Sequence, residues 1–174
     1  MKQKLTLTEA KEGIFDFDLS KAQSKYEKDS KNKISMGKLK IGKDTVEAIF
    51  TGELSTNGYA HNKADWGETY SIGMRLDEDQ VEALQALTLK VVDLCPGFEI
   101  TDPLKDDIVY FKLKLNKDQK SFAVKSNIKL DPKKDAMISS GTEFTARCEL
   151  SLYVSFDAQK AGVTMKLLAL DFEQ

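Results

Sequence analysis

Hydrophobic and polar residues alternate along most of the chain after Met36, and this period of two is typical of β-strands that bury one face. Turn-forming glycine, asparagine and aspartate residues separate the alternating segments. The pattern predicts five or six principal strands, drawn from the segments 38–44, 45–54, 68–76, 107–116, 121–130, 142–156 and 162–172.

One segment departs from this alternation. It opens on the acidic residues 77–79, which favour the positive end of a helix dipole, and it is followed by the helix-stopping pair Pro96-Gly97. Between them, apolar residues recur at helical spacing on roughly one face, at Val81, Leu84, Leu87, Val91 and Leu94. The spacing predicts one amphipathic helix over residues 78–94.

Short turns between strands and a single mid-chain helix suit a small barrel. We predict a mainly β fold, a five-stranded OB-fold-like barrel over residues 37–174, with the helix between the third and fourth strands. An immunoglobulin-like sandwich is the alternative, but it has no natural place for a helix of this length.

The first 36 residues are less regular. A short apolar patch around Phe15 is followed by the lysine-rich stretch 20–33, which is nearly free of apolar residues. That composition is compatible with a solvated helix or with a flexible arm. We therefore predict that residues 1–36 form a partly structured N-terminal extension with a basic arm.

Composition narrows the class of protein. A chain of 174 residues with 41% hydrophobic content fits one globular domain. No apolar run approaches the roughly 20 residues of a membrane-spanning helix, and the N-terminus lacks the apolar core of a secretion signal. We expect the protein to act inside a cell, without a membrane partner.

The sequence contains little that indicates a metal site or an enzyme active site. Cys95 and Cys148 lie among apolar residues without metal-site spacing, so buried reduced thiols are the simplest interpretation. Acidic pairs such as Asp106 and Asp107 occur, but no motif makes carboxylates converge, and neither a nucleophile motif nor a phosphate-binding glycine loop is present. We expect no cofactor, no metal and no enzymatic activity.

Charge is unevenly distributed along the chain. The net charge is −2, yet residues 20–43 contain eight lysines and two acids, and residues 111–134 contain the same numbers. The rest of the chain is therefore acidic. Segregation of this kind produces a local electric field that the net charge conceals.

The second basic segment predicts a lysine surface. If Phe111 and Leu113 face the core, the intervening lysines of this strand and of its predicted antiparallel partner, 121–130, face outward together. The predicted ribbon consists of Lys112, Lys114, Lys125 and Lys129. Like charges on neighbouring strands repel, so such a ribbon favours a bound anion, whereas isolated surface lysines serve only solubility.

Aromatic residues stand close to this surface in the predicted barrel. The stretch 57–71 reads as a polar loop, yet it contains the only tryptophan and the only histidine of the chain. Flat side chains beside lysines are typical of proteins that bind single-stranded nucleic acid, where bases stack without sequence reading. The further candidate residues are Tyr59, His61, Lys63, Trp66 and Tyr110 around this loop, and Lys38 and Lys40 on the first strand.

The type of basic residue also bears on recognition. Twenty-four of the 26 basic residues are lysine, and the two arginines are Arg75 and Arg147. Lysine acts as a mobile point charge, whereas arginine reads base edges through a rigid fork. The balance predicts binding that is independent of sequence. Two alternatives stay open at this point: a structural or protein-interaction barrel, and an RNA-binding barrel.

The closing stretch, 137–170, resembles the last strands of the OB-fold single-stranded-DNA-binding proteins of tailed bacteriophages. The likeness rests on the turn Ser140-Gly141, on Tyr153 and Phe156 near the end of a long strand, on the loop 160–162, and on Val163, Leu167 and Ala169. It does not extend to the long acidic tail of many family members. The resemblance implies a viral protein in the host cytoplasm that coats single-stranded DNA during replication and recombination, with replication or recombination proteins as further partners.

Overall fold

The computed structural model describes residues 2–29, 34–55, 60–64, 67–117, 122–127 and 138–173. The predicted mainly β class is confirmed, since most of these residues lie in strands of one mixed sheet. No helix in the described ranges is both long and apolar enough to cross a lipid bilayer.

Eleven strands and three helices occur in the described part of the chain. The strands are β1 (Gln3–Thr6), β2 (Ile14–Asp16), β3 (Ile34–Ile41), β4 (Asp44–Leu54), β5 (Ala60–Ala64), β6 (Gly67–Leu76), β7 (Glu99–Thr101), β8 (Ile108–Leu113), β9 (Lys125–Ser126), β10 (Glu143–Ser155) and β11 (Lys160–Phe172). The helices are α1 (Leu7–Ala10), α2 (Leu19–Lys28) and α3 (Glu78–Leu94).

The long hairpin of β10 and β11 is the centre of the sheet. On its free side, β10 pairs first with β4, over residues 143–149, and then with β3, over residues 151–155. From β4 the sheet continues through β6 to β8, with β5 on the edge of β6 and β1 running parallel to β4. These pairings bring β8 round towards β11.

The sheet is open, which differs from the closed five-stranded barrel that we predicted. Among the described residues, β8 and β11 share no ladder. The segment between them makes one isolated bridge, from Leu115 to Phe122, and a two-residue parallel pairing of β9 with β11. The predicted strand 121–130 is therefore not a full member of the sheet in this region.

Alternation along β10 explains where the core lies. Its even-numbered residues from Phe144 to Val154 are buried, and its odd-numbered residues form the outer face. Helix α3 covers the other side of the core with Leu84, Leu87 and Val91. Each such side chain contributes roughly 1.5–3 kcal/mol when it leaves water. The helix has the predicted bounds, 78–94, and that prediction is confirmed.

The N-terminal segment joins the same sheet. Leu7 and Phe15 are buried, while β2 pairs with β3. Within the basic stretch, α2 begins after Asp18, whose carboxylate accepts a hydrogen bond from the Lys21 amide at 3.2 Å. Of the two interpretations of this stretch, the helical one holds for residues 19–28.

Several short strands were absent from the sequence interpretation. The clearest case is β5, which lies where a polar loop was predicted and pairs with β6 from Ala60–Ser71 to Ala64–Gly67. Pairing within this hairpin overrides the preference of the individual residues, because hydrogen bonds to the neighbouring strand compensate for weak β propensity. Strands of two to five residues, such as β9, β2 and β5, are too short for alternation to reveal.

Candidate nucleic-acid interface

The outward face of β8 carries three exposed side chains in a row. Tyr110 and Lys112 lie on this strand and Lys114 follows it, whereas Phe111 and Leu113 between them are buried. The predicted alternation of this strand is therefore confirmed. Since alternate residues of a strand share a face, the tyrosine and the two lysines form one continuous edge.

The second half of the predicted ribbon is arranged differently. Instead of pairing along β8, the chain meets it at the Leu115–Phe122 bridge, where the Ala123 amide donates to the Lys114 carbonyl at 2.8 Å. Phe122 is buried against Tyr70, with ring centroids 5.2 Å apart. Lys125 then pairs with Ala169 of β11. The predicted antiparallel ribbon is wrong for these residues.

Lys112, Lys114 and Lys125 nevertheless line one hollow. A groove of about 950 Å³ lies between β8 and β11, at the place where no ladder joins these two strands in the described structure. We call it the basic groove. It is lined by Lys2, Met36, Glu47, Tyr110, Lys112, Lys114, Ala123, Val124, Lys125, Arg147, Tyr153, Thr164, Met165, Lys166, Leu167 and Leu168.

The basic groove has two chemically different walls. Lys112 and Lys114, on and just after β8, form one wall. The other wall is formed largely by the apolar side chains Met165, Leu167 and Leu168 of β11 together with Lys166, and Lys125 pairs with β11 beside it. Counting all lining residues, six cations face one carboxylate, that of Glu47. An unpaired polynucleotide presents phosphates on one side and bases on the other, and the two walls match these two chemistries.

A chain of ion pairs underlies the groove. The Lys2 ammonium lies 3.7 Å from Glu47 and 3.2 Å from Glu149, and Glu149 also accepts from Lys38 at 2.6 Å. The Lys38 hydrogen bond, followed by that of Lys2, holds the pKa of Glu149 below its ordinary value. The Glu149 hydrogen bond in turn raises the pKa of Lys2. Both groups therefore stay charged over the neutral range.

Two tyrosines, Tyr110 and Tyr153, line the groove. Tyr110 is 53% exposed, and its ring lies across Gly73, its partner on β6. A Cβ atom on Gly73 would come within 2.6 Å of Ser55 Oγ and within 3.1 Å of the Tyr110 ring, so a glycine is needed for both side chains to lie this close to the strand. Tyr153 projects from the outer face of β10 and is half-buried.

The remaining predicted site residues divide into two groups. Lys38 joins the ion pairs beside the groove, whereas Lys40 pairs with Asp16 at 2.8 Å and does not line the groove. The Asp16 pKa is lowered, chiefly by the hydrogen bond from Lys40. His61 and Lys63 lie on β5, of which only the backbone is described, and Tyr59, Trp66 and Lys129 lie outside the described residues.

Four cationic or aromatic groove residues were missing from the predicted site: Lys2, Arg147, Tyr153 and Lys166. Alternation along β10 already gave Arg147 and Tyr153 a shared outward face, so their position was accessible from the pattern. Lys166 follows from its register opposite Glu149. Lys2 was not accessible, because it reaches the groove only through the parallel pairing of β1 with β4.

The two cysteines do not line the groove. Both cysteines are buried and unpaired as disulfides, as predicted, and burial raises the pKa of each thiol. Among the residues that the structure describes, no three metal-ligating side chains are grouped in a way that could hold an ion.

Comparison of the sequence with models of known protein families finds no match, and comparison with curated proteins finds no similar protein either. The resemblance of residues 137–170 to bacteriophage single-stranded-DNA-binding proteins therefore stays a prediction. The function has to be inferred from the groove itself.

Proposed function

We propose that this protein binds single-stranded DNA without regard to sequence, as an accessory protein of viral DNA replication and recombination. The observation that carries the proposal is the basic groove, in which six cations and two tyrosines surround one carboxylate. The replication role comes from the resemblance of the closing strands and from the chemistry of the groove taken together.

The two walls support a specific placement of the strand. The phosphates lie along Lys112, Lys114 and Lys125. The bases stack on Tyr110 and Tyr153 and lie against the apolar side chains of β11. Lysines hold phosphates as point charges, and the faces of tyrosine rings accept any base. Neither contact depends on which base is present, so the binding is independent of sequence.

The proposed architecture is related to the OB-fold. From β4 the pairings run through β6 to β8 on one side and through β10 to β11 and β9 on the other. In the described residues, the isolated Leu115–Phe122 bridge is the only β-pairing that links the segment after β8 to the segment before β9. OB-folds are partly open five-stranded barrels that bind oligonucleotides across the sheet face. The groove lies between β8 and β11, where no ladder joins the strands of the described structure, and this position supports the relation to the OB-fold.

The salt dependence of binding tests the proposal. We expect a fluorescein-labelled thymidine oligonucleotide to bind with an affinity that falls on a log-log plot with a slope of about −0.7 per phosphate contact. Replacing Lys112, Lys114 and Lys125 with alanine removes three such contacts and should flatten the slope by about 2. Fluorescence anisotropy over a range of salt concentrations measures both quantities.

A matched variant controls for total charge. Lys43, Lys105 and Lys160 are exposed and do not line the groove. Their replacement with alanine changes the net charge by the same amount, and we expect the slope to remain that of the unaltered protein. Equal slopes for all three proteins would remove the groove from the binding surface. Absence of any complex at low salt would refute the function.

The same assay separates the alternatives. Competition with unlabelled oligouridine and with duplex DNA tests preference for single-stranded DNA over RNA and over paired strands. Trp66 is the only tryptophan, so quenching of its fluorescence by oligothymidine tests whether the β5–β6 hairpin contacts the strand. Binding without quenching would move Trp66 out of the site and leave the groove in it.

A further inference from the structure

One charged pair in the basic groove differs from the surface lysines around it. Glu47 is only 6% exposed, and its Oε2 atom lies 3.3 Å from Nε of Arg147, whose side chain is 29% exposed. Neither of these two atoms makes a hydrogen bond within the described part of the chain, although both are buried. Burying a charged pair without full hydrogen bonding is unfavourable, so packing alone does not explain its presence.

The backbone is irregular at the same place. Arg147 pairs with Ala169 across β10 and β11, but the next residue, Cys148, pairs with Leu167, which leaves Leu168 as an extra residue. A β-bulge of this kind turns side chains away from the regular alternation and is frequent beside functional sites. Here both Leu167 and Leu168 line the groove together with Arg147.

The cluster of charged side chains around Glu47 and Arg147 has a net positive charge. Glu149 is neutralised by Lys38 at 2.6 Å and shares Lys2 with Glu47. Three cations, counting Arg147, therefore face two carboxylates in the connected cluster. Within the described residues, Glu47 is the only ionic partner of Arg147. The guanidinium thus retains donors for a ligand.

We propose that Arg147, held in place by Glu47, donates its guanidinium fork to two non-bridging oxygens of a single phosphodiester, and so fixes the strand at one point in the groove. The inference rests on the proposed function and goes beyond it. The lysines attract the strand through charge, whereas Arg147 imposes geometry, because a planar fork matches two oxygens at once. Glu47 is a positioning residue that acts through Arg147.

The sign of the Glu47→Gln effect distinguishes positioning from simple electrostatics. Glutamine removes a negative charge from a groove that binds a polyanion, so charge alone predicts tighter binding. If Glu47 orients Arg147, the same variant binds oligothymidine several-fold more weakly. Tighter or unchanged binding by a variant that retains its Tm overturns the proposal.

A second variant tests the fork without changing the charge. Arg147→Lys keeps one positive charge but loses the bidentate geometry, and we expect about tenfold weaker binding of oligothymidine, the order of a charge-assisted hydrogen bond. The salt slope should not change, since lysine still neutralises one phosphate. Arg75→Lys is the matched control, because Arg75 is the other arginine and does not line the groove. It should bind normally, and an equal loss in both variants overturns the proposal.

Guanine edges also offer a pair of acceptors to arginine, so the ligand must be distinguished. Loss of affinity for Arg147→Lys with oligothymidine and with guanine-containing oligonucleotides alike supports the phosphodiester. A loss confined to guanine-containing strands overturns that assignment. In the unaltered protein, the Arg147 Nε–H resonance, identified by its disappearance in Arg147→Lys, should shift on addition of oligothymidine. Failure of the unaltered protein to bind any oligonucleotide would instead refute the proposed function.

Discussion

Two hollows of opposite charge lie along the outer side of β10. The basic groove surrounds Arg147 and Tyr153, whereas a smaller cleft of about 290 Å³ lies at the start of the strand. Four carboxylates and one arginine line this acidic cleft: Glu53, Asp77, Glu143, Glu173 and Arg75. Arg147 is four residues from Glu143, so the change of sign takes place over about 13 Å of strand.

The carboxylates near the two hollows are in opposite environments. Beside the basic groove, the carboxylate of Glu149 is held by two lysines, and its pKa is lowered. In the acidic cleft, Glu143 and Glu173 hydrogen-bond to each other, and this contact raises the pKa of Glu143. Within the described structure, no carboxylate pairs with Lys112, Lys114 or Lys125. The groove is therefore locally cationic although the net charge of the chain is −2, and this supports the proposed binding of an anionic strand.

Reversing charge in the groove should have the largest effect. Lys112→Glu together with Lys114→Glu removes two phosphate contacts and adds two repulsive charges to the same wall. We expect affinity for oligothymidine at low salt to fall on the order of 100-fold, measured by fluorescence anisotropy. Lys43→Glu with Lys105→Glu gives the same net charge away from the groove. A comparable loss in that control would mean that overall charge, rather than the groove, determines binding.

The groove residues show which parts of the site a local sequence pattern can predict. Alternation predicted that Lys112 and Lys114 face outward, because burial of Phe111 and Leu113 determines the face of the strand. Lys125 was also assigned to this surface, but through an incorrect pairing. It reaches the groove by parallel pairing with β11, more than forty residues further along the chain. Pairing over such distances depends on three-dimensional packing, which no local pattern contains.

The same limit applies to the fold. Helix α3 and the β10–β11 hairpin were predicted because each has a long, uninterrupted period, and β10 alone buries six even-numbered residues. The open side of the sheet was not predicted. It arises where Phe122 packs against Tyr70 and the chain leaves β8 after one bridge. A contact between residues this far apart in the chain is not contained in the alternation of either segment.

Removing an aromatic face should have the next largest effect. Tyr110→Ala deletes the exposed ring on the lysine wall, and loss of one stacked base is worth about 1–3 kcal/mol, or roughly 5- to 150-fold in affinity. Tyr110→Phe keeps the ring and should bind nearly normally. Gly73→Ala should weaken binding as well, because a Cβ atom would meet Ser55 Oγ at 2.6 Å and the Tyr110 ring at 3.1 Å, so that both side chains would have to move. Normal affinity of Tyr110→Ala in the anisotropy assay would exclude Tyr110 from stacking.

Neutralising the acidic cleft should change binding much less. Glu143→Gln with Glu173→Gln removes two negative charges that lie about 13 Å from Arg147 along the sheet. This exceeds the Debye length of about 10 Å at 0.1 M salt, so we expect less than a twofold gain in affinity under those conditions. A gain as large as the loss expected for the lysine wall would show that the strand passes through the cleft.

The smallest expected effect compares the two glutamates of β10 by thermal unfolding. The pKa of Glu143 is raised above its ordinary 4.5, first through its hydrogen bond with Glu173 and then through charge repulsion. A raised carboxyl pKa means that the folded state binds the proton more tightly. Its stabilising contribution is complete below the ordinary pKa and is lost as pH rises through the raised value. Glu143→Gln should therefore raise the Tm at pH 7, by on the order of 1–2 °C, and should lose this advantage towards pH 4.

For Glu149 the expected change in Tm has the opposite sign. Its pKa is lowered, first through the Lys38 hydrogen bond, so its contribution is present above the ordinary value and is lost as pH falls through the lowered one. Glu149→Gln should lower the Tm at pH 7 by a similarly small amount, and the difference should disappear in acid. Calorimetry of both variants across this range measures the contrast directly. If both substitutions changed the Tm in the same direction at neutral pH, the two glutamates of β10 would not lie in opposite electrostatic environments.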